Sequence, residues 1–462
     1  MKRCIAGVLA AVLCFPLWGC GGPAVGQSDG TQSGASTTET KREPSTTEAM
    51  CQHTYGDWAV KTQATCAEEG REERVCTICN KTESRSIAKK DHTFKAFQVC
   101  KKCMYVDFDP DADFVELGVI SDKWFGEGSA ANHAWDIKVW NGQVFRGAGD
   151  YDKNSGAAPI LAFDIASQSW KSYDTVPDQA VHSFEEIGGT LYAPGIDPTG
   201  GWSMGNFYVL KDGKWEVKRN IPNGVHNFDM IEFDGKIFAG VGTENINENV
   251  AVSSDGGETF TYVPLYKDGK PFDVTPYNLS RTYEFVQYNG QLYALMVFRE
   301  GKSLEYIVFR YEDGKMVYLS NQVQALYGGA RINRKYWPGQ FEFGGACYLT
   351  AGSLYAIRDF AKPETYEKIG LPNDEKVADA LLKDGVIYVL GFSQNQENGE
   401  YTIVIYKSTT GKTGSFEQVR SFTYPAAPCS FDTDGTYFYI GMGTSTVDKT
   451  RIGMVLRVKP AA

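Results

Sequence analysis

The chain has 462 residues, a formal net charge of −11, 42% hydrophobic and 22% charged residues. That acidic balance excludes nucleic acid and an anionic lipid surface as partners held by a basic face. The length exceeds what one ordinary core fills, unless the fold is a repeat array in which each unit packs only on its neighbours.

In chain order, Lys2 and Arg3 precede a short apolar run from Ile5 to Trp18. This is the pattern of an export signal, too short to span a bilayer. The run ends in Leu17-Trp18-Gly19-Cys20, which resembles a bacterial lipobox, with Trp18 bulky for its position. The resemblance implies a signal peptide at 1–19, cleavage before Cys20 and lipid on that cysteine. The protein would then be extracytoplasmic and held to the bacterial cell membrane by its anchor. No later stretch is long and apolar enough to cross a membrane. Residues 20–50 are Gly, Ser, Thr and Glu with almost nothing to bury, as in a flexible tether.

Residues 51–105 hold six of the eleven cysteines and two of the five histidines. They read C51-x-H53-T-Y, A-T-C66, C76-T-I-C79, H92-T-F and C100-K-K-C103. The two H-T-aromatic motifs, each followed by a CxxC pair, resemble a half-repeated unit of bacterial surface proteins. Cys51, His53, Cys66, Cys76, Cys79, His92, Cys100 and Cys103 are eight soft ligands, enough for two tetrahedral zinc sites in a zinc-ribbon-like module. Three disulfides are the rival, suited to the oxidising space outside a cell. Zinc accounts for both histidines, whereas disulfides leave them without a role. Under either reading the module is a structural staple, because a closed Cys/His set keeps no position open for substrate.

From residue 110 to the end an internal repeat dominates. A turn dipeptide followed by an aromatic strand recurs at N141-G-Q-V-F, G188-G-T-L-Y, D234-G-K-I-F, N289-G-Q-L-Y, G344-G-A-C-Y, D384-G-V-I-Y and D434-G-T-Y-F. Asn-Gly and Asp-Gly supply the positive φ angles of a two-residue hairpin turn. The steps of about 40 to 55 residues match one four-stranded blade. The fold expected for 110–462 is therefore all-β, a seven-bladed β-propeller, with six or eight blades as alternatives. The last unit offers three strands, so Phe114–Ile120 is expected to complete it and close the ring from the N-terminal side.

S253-S-D255-G-G257-E-T259-F260 resembles the Asp-box of sialidase-like propellers, with a degraded echo at S408–F416, and F163-D-I-A-S-Q-S-W170 is similar to kelch repeats. In that family the box stabilises a turn and is not catalytic. The sialidase F-R-I-P motif and arginine triad are absent, so the resemblance implies the fold and no glycosidase chemistry.

Counted back from each turn with short gaps allowed, one position holds His133, His182, His226, Arg281, Tyr336, Lys376 and Cys429. Three residues later come Asp136, Glu185, Asp229, Glu284, Gly339, Asp379 and Asp432. Propeller symmetry would gather these around one mouth of the central channel. One reading is internal: each basic group bonds the acid of its own blade. The other is a ligand site in which His133, His182, His226, Arg281 and Lys376, with Asp229 and Glu284, hold sugar hydroxyls, a carboxylate or a cation. Tyr336 and Trp337, on a long loop, would add aromatic faces. Three converging histidines could instead bind a transition metal.

The function expected is carbohydrate binding, or binding of another extracellular ligand such as a surface protein, by a lipid-anchored propeller. The alternatives are a glycan-cleaving hydrolase or lyase using acids of the mouth, and a protein-interaction scaffold. No catalytic residue is identified by a motif.

Overall fold

In a computed structural model of the chain, residues 51–243, 245, 247–321 and 340–461 are described. The signal, Cys20, the tether and the loop residues Tyr336 and Trp337 lie outside them. Among the described residues no helix is long and apolar enough to cross a membrane.

The chain divides into two compact units, and the division falls inside the segment 51–105 rather than at its end. The described part of the first unit comprises residues 51–60 and 72–85. Its small size leaves little to bury, and charged side chains do much of the covering. Arg74 lies over the rings of Tyr55 and Trp58, 4.6 Å from each centroid, and pairs with Glu83 at 2.6 Å. Arg85 lies 4.1 Å from the Trp58 ring and pairs with Glu72.

The second unit, residues 61–71 and 86–462, is all-β with a propeller-like build. Seven sheets follow one another, each built on an antiparallel meander of four strands. Their leading strands are Ile137–Trp140, Glu185–Ile187, His226–Phe233, Leu279–Tyr288, Gln340–Phe343, Lys376–Lys383 and Pro428–Thr433. Each leading strand ends at one of the turn dipeptides. At Asn141-Gly142, Asp234-Gly235, Asn289-Gly290 and Asp384-Gly385 both residues have positive φ, as the two-residue turn demands. The fourth strand of the seventh sheet is Phe114–Gly118, which pairs antiparallel with Val455–Val458.

Alternation along each strand puts apolar side chains on both faces, so each sheet packs against the sheet before it and the sheet after it. The hydrophobic clusters follow that rule. Phe145 and Ile160 of the first sheet meet Leu191 and Tyr208 of the second. Phe238 of the third meets Phe285 and Ala294 of the fourth. Ala378 and Leu390 of the sixth meet Phe431 and Ile440 of the seventh. Tyr439 and Val455 of the seventh meet Ile137 and Val144 of the first. A fully buried Phe contributes about 1.5–3 kcal/mol by this burial, so side-chain packing between sheets is the main source of cohesion.

The second half of the cysteine-rich segment belongs to this unit. Val99 and Val106 lie in the cluster shared by the seventh and first sheets. Val106 N–H donates to Gln168 O at 2.8 Å, and Trp170 N–H to Met104 O at 3.1 Å.

Short strands at Ala148–Gly149, Asp178–Val181 and Ile196–Pro198 add a ladder that runs from the first sheet to His226 of the third. Backbones approach closely there. Gly149 has φ +104°, and a Cβ on it would sit 2.2 Å from Gln179 O.

Candidate functional site

The leading strands carry a bulge near their entry. The register shifts between Asn227 and Asp229, Thr282 and Glu284, Val377 and Asp379, and Pro428 and Ser430. A bulge bends the strand and re-aims the side chains around it. At three of the four, the residue just after it reaches across to the next sheet. Asp229 Oδ2 accepts from Phe285 N–H at 2.6 Å, and Asp379 Oδ2 from Phe431 N–H at 2.9 Å. Ser430 Oγ accepts from Ile137 N–H at 3.0 Å and donates to Asp136 Oδ1 at 3.1 Å. Asp136 Oδ2 accepts from Phe184 N–H at 2.9 Å. Asp432 adds a second bond from the seventh sheet to the first, accepting from Val139 N–H at 2.7 Å. Where the internal reading expected a basic group of the same blade, Asp136, Asp229, Asp379 and Asp432 accept from backbone N–H groups of the following sheet.

The same bonds correct the alignment. Phe285 and Phe431 each follow the post-bulge residue of their strand, so Phe184 assigns that place in the second sheet to Ser183, not Glu185. His182 then stands at the bulge level of Trp135, Phe228 and Tyr283. The counterpart of His226 is Ala180, which shares its ladder through Ile196. In the seventh sheet Cys429 is the bulge residue, and Ala427 matches Lys376. A slip of two residues keeps every side chain on its original face, so alternation could not reveal it.

These leading strands enclose a cavity of about 540 Å³. Trp135, His182, Phe228 and Tyr283 line it at the bulge level; Asp136, Glu185, Asp229, Glu284, Glu342, Asp379 and Asp432 supply carboxyls, with Lys138 and Lys383 among them. Of the expected binding residues, His182, Asp229 and Glu284 therefore reach the cavity. His133, His226, Arg281 and Lys376 are not in its wall, and Lys376 is exposed.

The three imidazoles do not converge. His133 and His182 flank the Trp135 ring at 4.8 and 4.6 Å, and Tyr151 separates His182 from His226 at 5.8 and 5.4 Å. No cluster of metal-ligating groups among the described residues includes them. Burial, helped by the Arg281 guanidinium, pushes His226 down to about 3, so it is neutral at physiological pH. Arg281 itself packs over Phe228 and donates to Tyr283 OH at 3.3 Å.

Burial dominates the carboxyls. It pushes Asp136 up to about 6 and Asp229 to about 7. Glu185 is raised well above the usual range by burial and then by Asp229, against the pull of Lys138. Glu284 is raised by burial, then by Asp229 and Glu185. Burial works against the charge of Lys138, yet Glu185, Asp432 and Asp136 outweigh it and its pKa is raised. The four cross-sheet acids have their backbone partners. Glu284, 5% exposed, has an Oε2 with no hydrogen-bond partner.

Lys138, Trp135, Phe228 and Tyr283 were missed by sequence reasoning. The signal for the aromatics was in view: W135-D136, F228-D229 and Y283-E284 repeat an aromatic residue before the acid.

A second constellation lies in the cysteine-rich segment. Cys51, His53, Cys76 and Cys79 place their ligand atoms within 4.8 Å of one another, and so do Cys66, His92, Cys100 and Cys103. His53 Nδ1 is 3.2 Å from Cys79 Sγ and His92 Nδ1 is 3.3 Å from Cys103 Sγ. None of the eight described cysteines is in a disulfide. Desolvation raises Cys76 and Cys100, but backbone N–H groups of each CxxC knuckle outweigh it and hold them at about 6 and 5. Each set could hold a metal ion.

No described protein family and no curated protein matches the chain. Among solved structures, YCF48 from Cyanidioschyzon merolae is 9% identical over 75% of this chain and 99% of that one, with a TM-score of 0.43. PorZ, a surface component of the type-IX secretion system of Porphyromonas gingivalis, is 12% identical over 87% and 57%, TM-score 0.44. The α-L-arabinanase of Penicillium chrysogenum is 12% identical over 70% and 92%, TM-score 0.33. At such values these likenesses say nothing about the site.

Proposed function

We propose that the chain is a lipid-anchored extracytoplasmic protein whose seven sheets are the blades of a closed propeller, and that the channel between them binds a carbohydrate or another extracellular ligand. Ring closure is supported by Phe114–Gly118 completing the last sheet and by the cluster joining that sheet to the first. The observation that carries the binding reading is the cavity itself. Its size suits a ligand of one or a few rings, its wall combines aromatic residues, Trp135, Phe228 and Tyr283 among them, with carboxyls, and Glu284 of that wall has a buried oxygen without a partner.

Both cysteine–histidine sets are read as zinc sites. Three sulfurs and one nitrogen are a donor set that zinc favours, and four ligands close the coordination sphere, which makes the role structural. Zinc would fasten the segment between the anchor and the propeller.

One observation favours a second reading, a glycan-cleaving enzyme. Burial and neighbouring acids raise Glu185 and Glu284 well above the usual carboxylate range, the direction a general acid needs. A glycan-binding screen run with a turnover assay on the full chain, beside Glu284→Gln, separates the two. Binding without product supports the first reading, product lost in the variant establishes the second, and neither binding nor product refutes both.

A further inference from the structure

We infer that the cavity selects ligands bearing primary ammonium groups, with Glu284 and Glu185 as their acceptors and the rings of Trp135, Phe228 and Tyr283 as the wall that receives them. This rests on the reading that the cavity binds a ligand.

Most channel acids are committed. Asp136, Asp229, Asp379 and Asp432 each accept a backbone N–H from the next sheet. Glu185 and Glu284 accept none of these bonds, and Glu284, a residue of the cavity wall, has a buried Oε2 without a partner. A buried acceptor left unmade is costly, and a ligand that donates to it removes that cost.

The donor it fits is narrowed by what surrounds it. An anionic ligand would meet seven carboxyls against two lysines, Lys138 and Lys383; Lys138 is already neighboured by Glu185, Asp432 and Asp136, and Lys383 by Asp432. Arg281 and Lys376 lie outside the wall. A bare metal ion needs its ligand atoms drawn together, and among the described residues no three carboxyl groups of the cavity bring oxygens within 4.8 Å of one another. An ammonium suits the wider spacing, because its three donors can reach acceptors on different strands. The aromatic wall favours the same charge: cations are attracted to ring faces, and Arg281 already lies 5.7 Å from the Phe228 centroid. Two sources share this chemistry, an amino-sugar chain with free amines and a free polyamine.

Calorimetric titration of the full chain with a glucosamine tetramer, its fully N-acetylated counterpart and spermidine tests the inference, with Glu284→Gln and Glu185→Gln in parallel. The glucosamine tetramer or spermidine should bind at least tenfold more tightly than the acetylated tetramer, and whichever binds identifies the source. Glu284→Gln should abolish that preference without lowering the unfolding temperature, since the amide keeps the shape and removes a buried acid. Equal binding of the amine and acetylated tetramers, or a preference that survives Glu284→Gln, overturns ammonium selection and leaves ligand binding standing. Binding of none of the three by the parent chain overturns both.

Discussion

Asp229 offers the sharpest test of how the sheets are held. Its Oδ2 accepts Phe285 N–H at 2.6 Å, both residues are buried, and the carboxyl is pushed up to about 7. The bond therefore needs an acceptor at that place and gains little from the charge. Asp229→Ala leaves the Phe285 N–H buried and unmade, about 1–3 kcal/mol, and adds a small void, so the total loss should be about 2–4 kcal/mol. Asp229→Asn keeps the acceptor and removes an acid whose ionised form is disfavoured there. It should fall within about 1 kcal/mol of the parent at pH 5 and exceed it at pH 8. Urea unfolding followed by tryptophan fluorescence, with the midpoint read at both pH values, measures this. If Asn costs as much as Ala, the ionised carboxylate is what the fold requires and the cross-sheet account is wrong.

Three further outcomes are expected. After chelation the reduced full chain should take back two zinc ions, counted by elemental analysis. Cys76→Ser and Cys100→Ser should each leave one, and only Cys100→Ser should also lower the unfolding temperature of the second unit, because Cys100 is buried and follows Val99 in its core. Asp136 and Asp229 have folded pKa values near 6 and 7, above their unfolded value. Their contribution is complete below about pH 4 and is lost as pH rises through 6 and 7. Relative to a double Asn variant, the parent should lose on the order of 5–7 kcal/mol over that range in urea midpoints, and no difference in slope would refute it. Gly149→Ala must place a Cβ against Gln179 O at positive φ. It should cost about 2 kcal/mol or more in the same assay, and a neutral outcome would show that the ladder between the first and third sheets yields freely.

Much of this protein was legible in order along the chain. Turn dipeptides at regular steps announced small antiparallel sheets, since only residues tolerant of positive φ can close such hairpins. Eight cysteines and histidines announced ligand sets, and both sets formed. Their division did not follow from spacing: Cys66 joins His92 and the later CxxC pair, while Cys51 and His53 join the earlier one. That choice depends on how the chain reverses through Gly70–Val75 and Thr82–Ile87.

The site was legible only in part. The acids Asp136, Asp229, Glu284 and Asp379 were placed correctly because each stands at a constant count from its turn. His182 and Cys429 were misplaced by two residues, a slip that the twofold period of a strand conceals. Local pattern determines which residues can form strands and turns, because those preferences act over a few neighbouring residues. Which side chains share a cavity, and which acid meets which N–H, is decided by bulges and by contacts between sheets about fifty residues apart. Those are properties of the assembled core, and no local period records them.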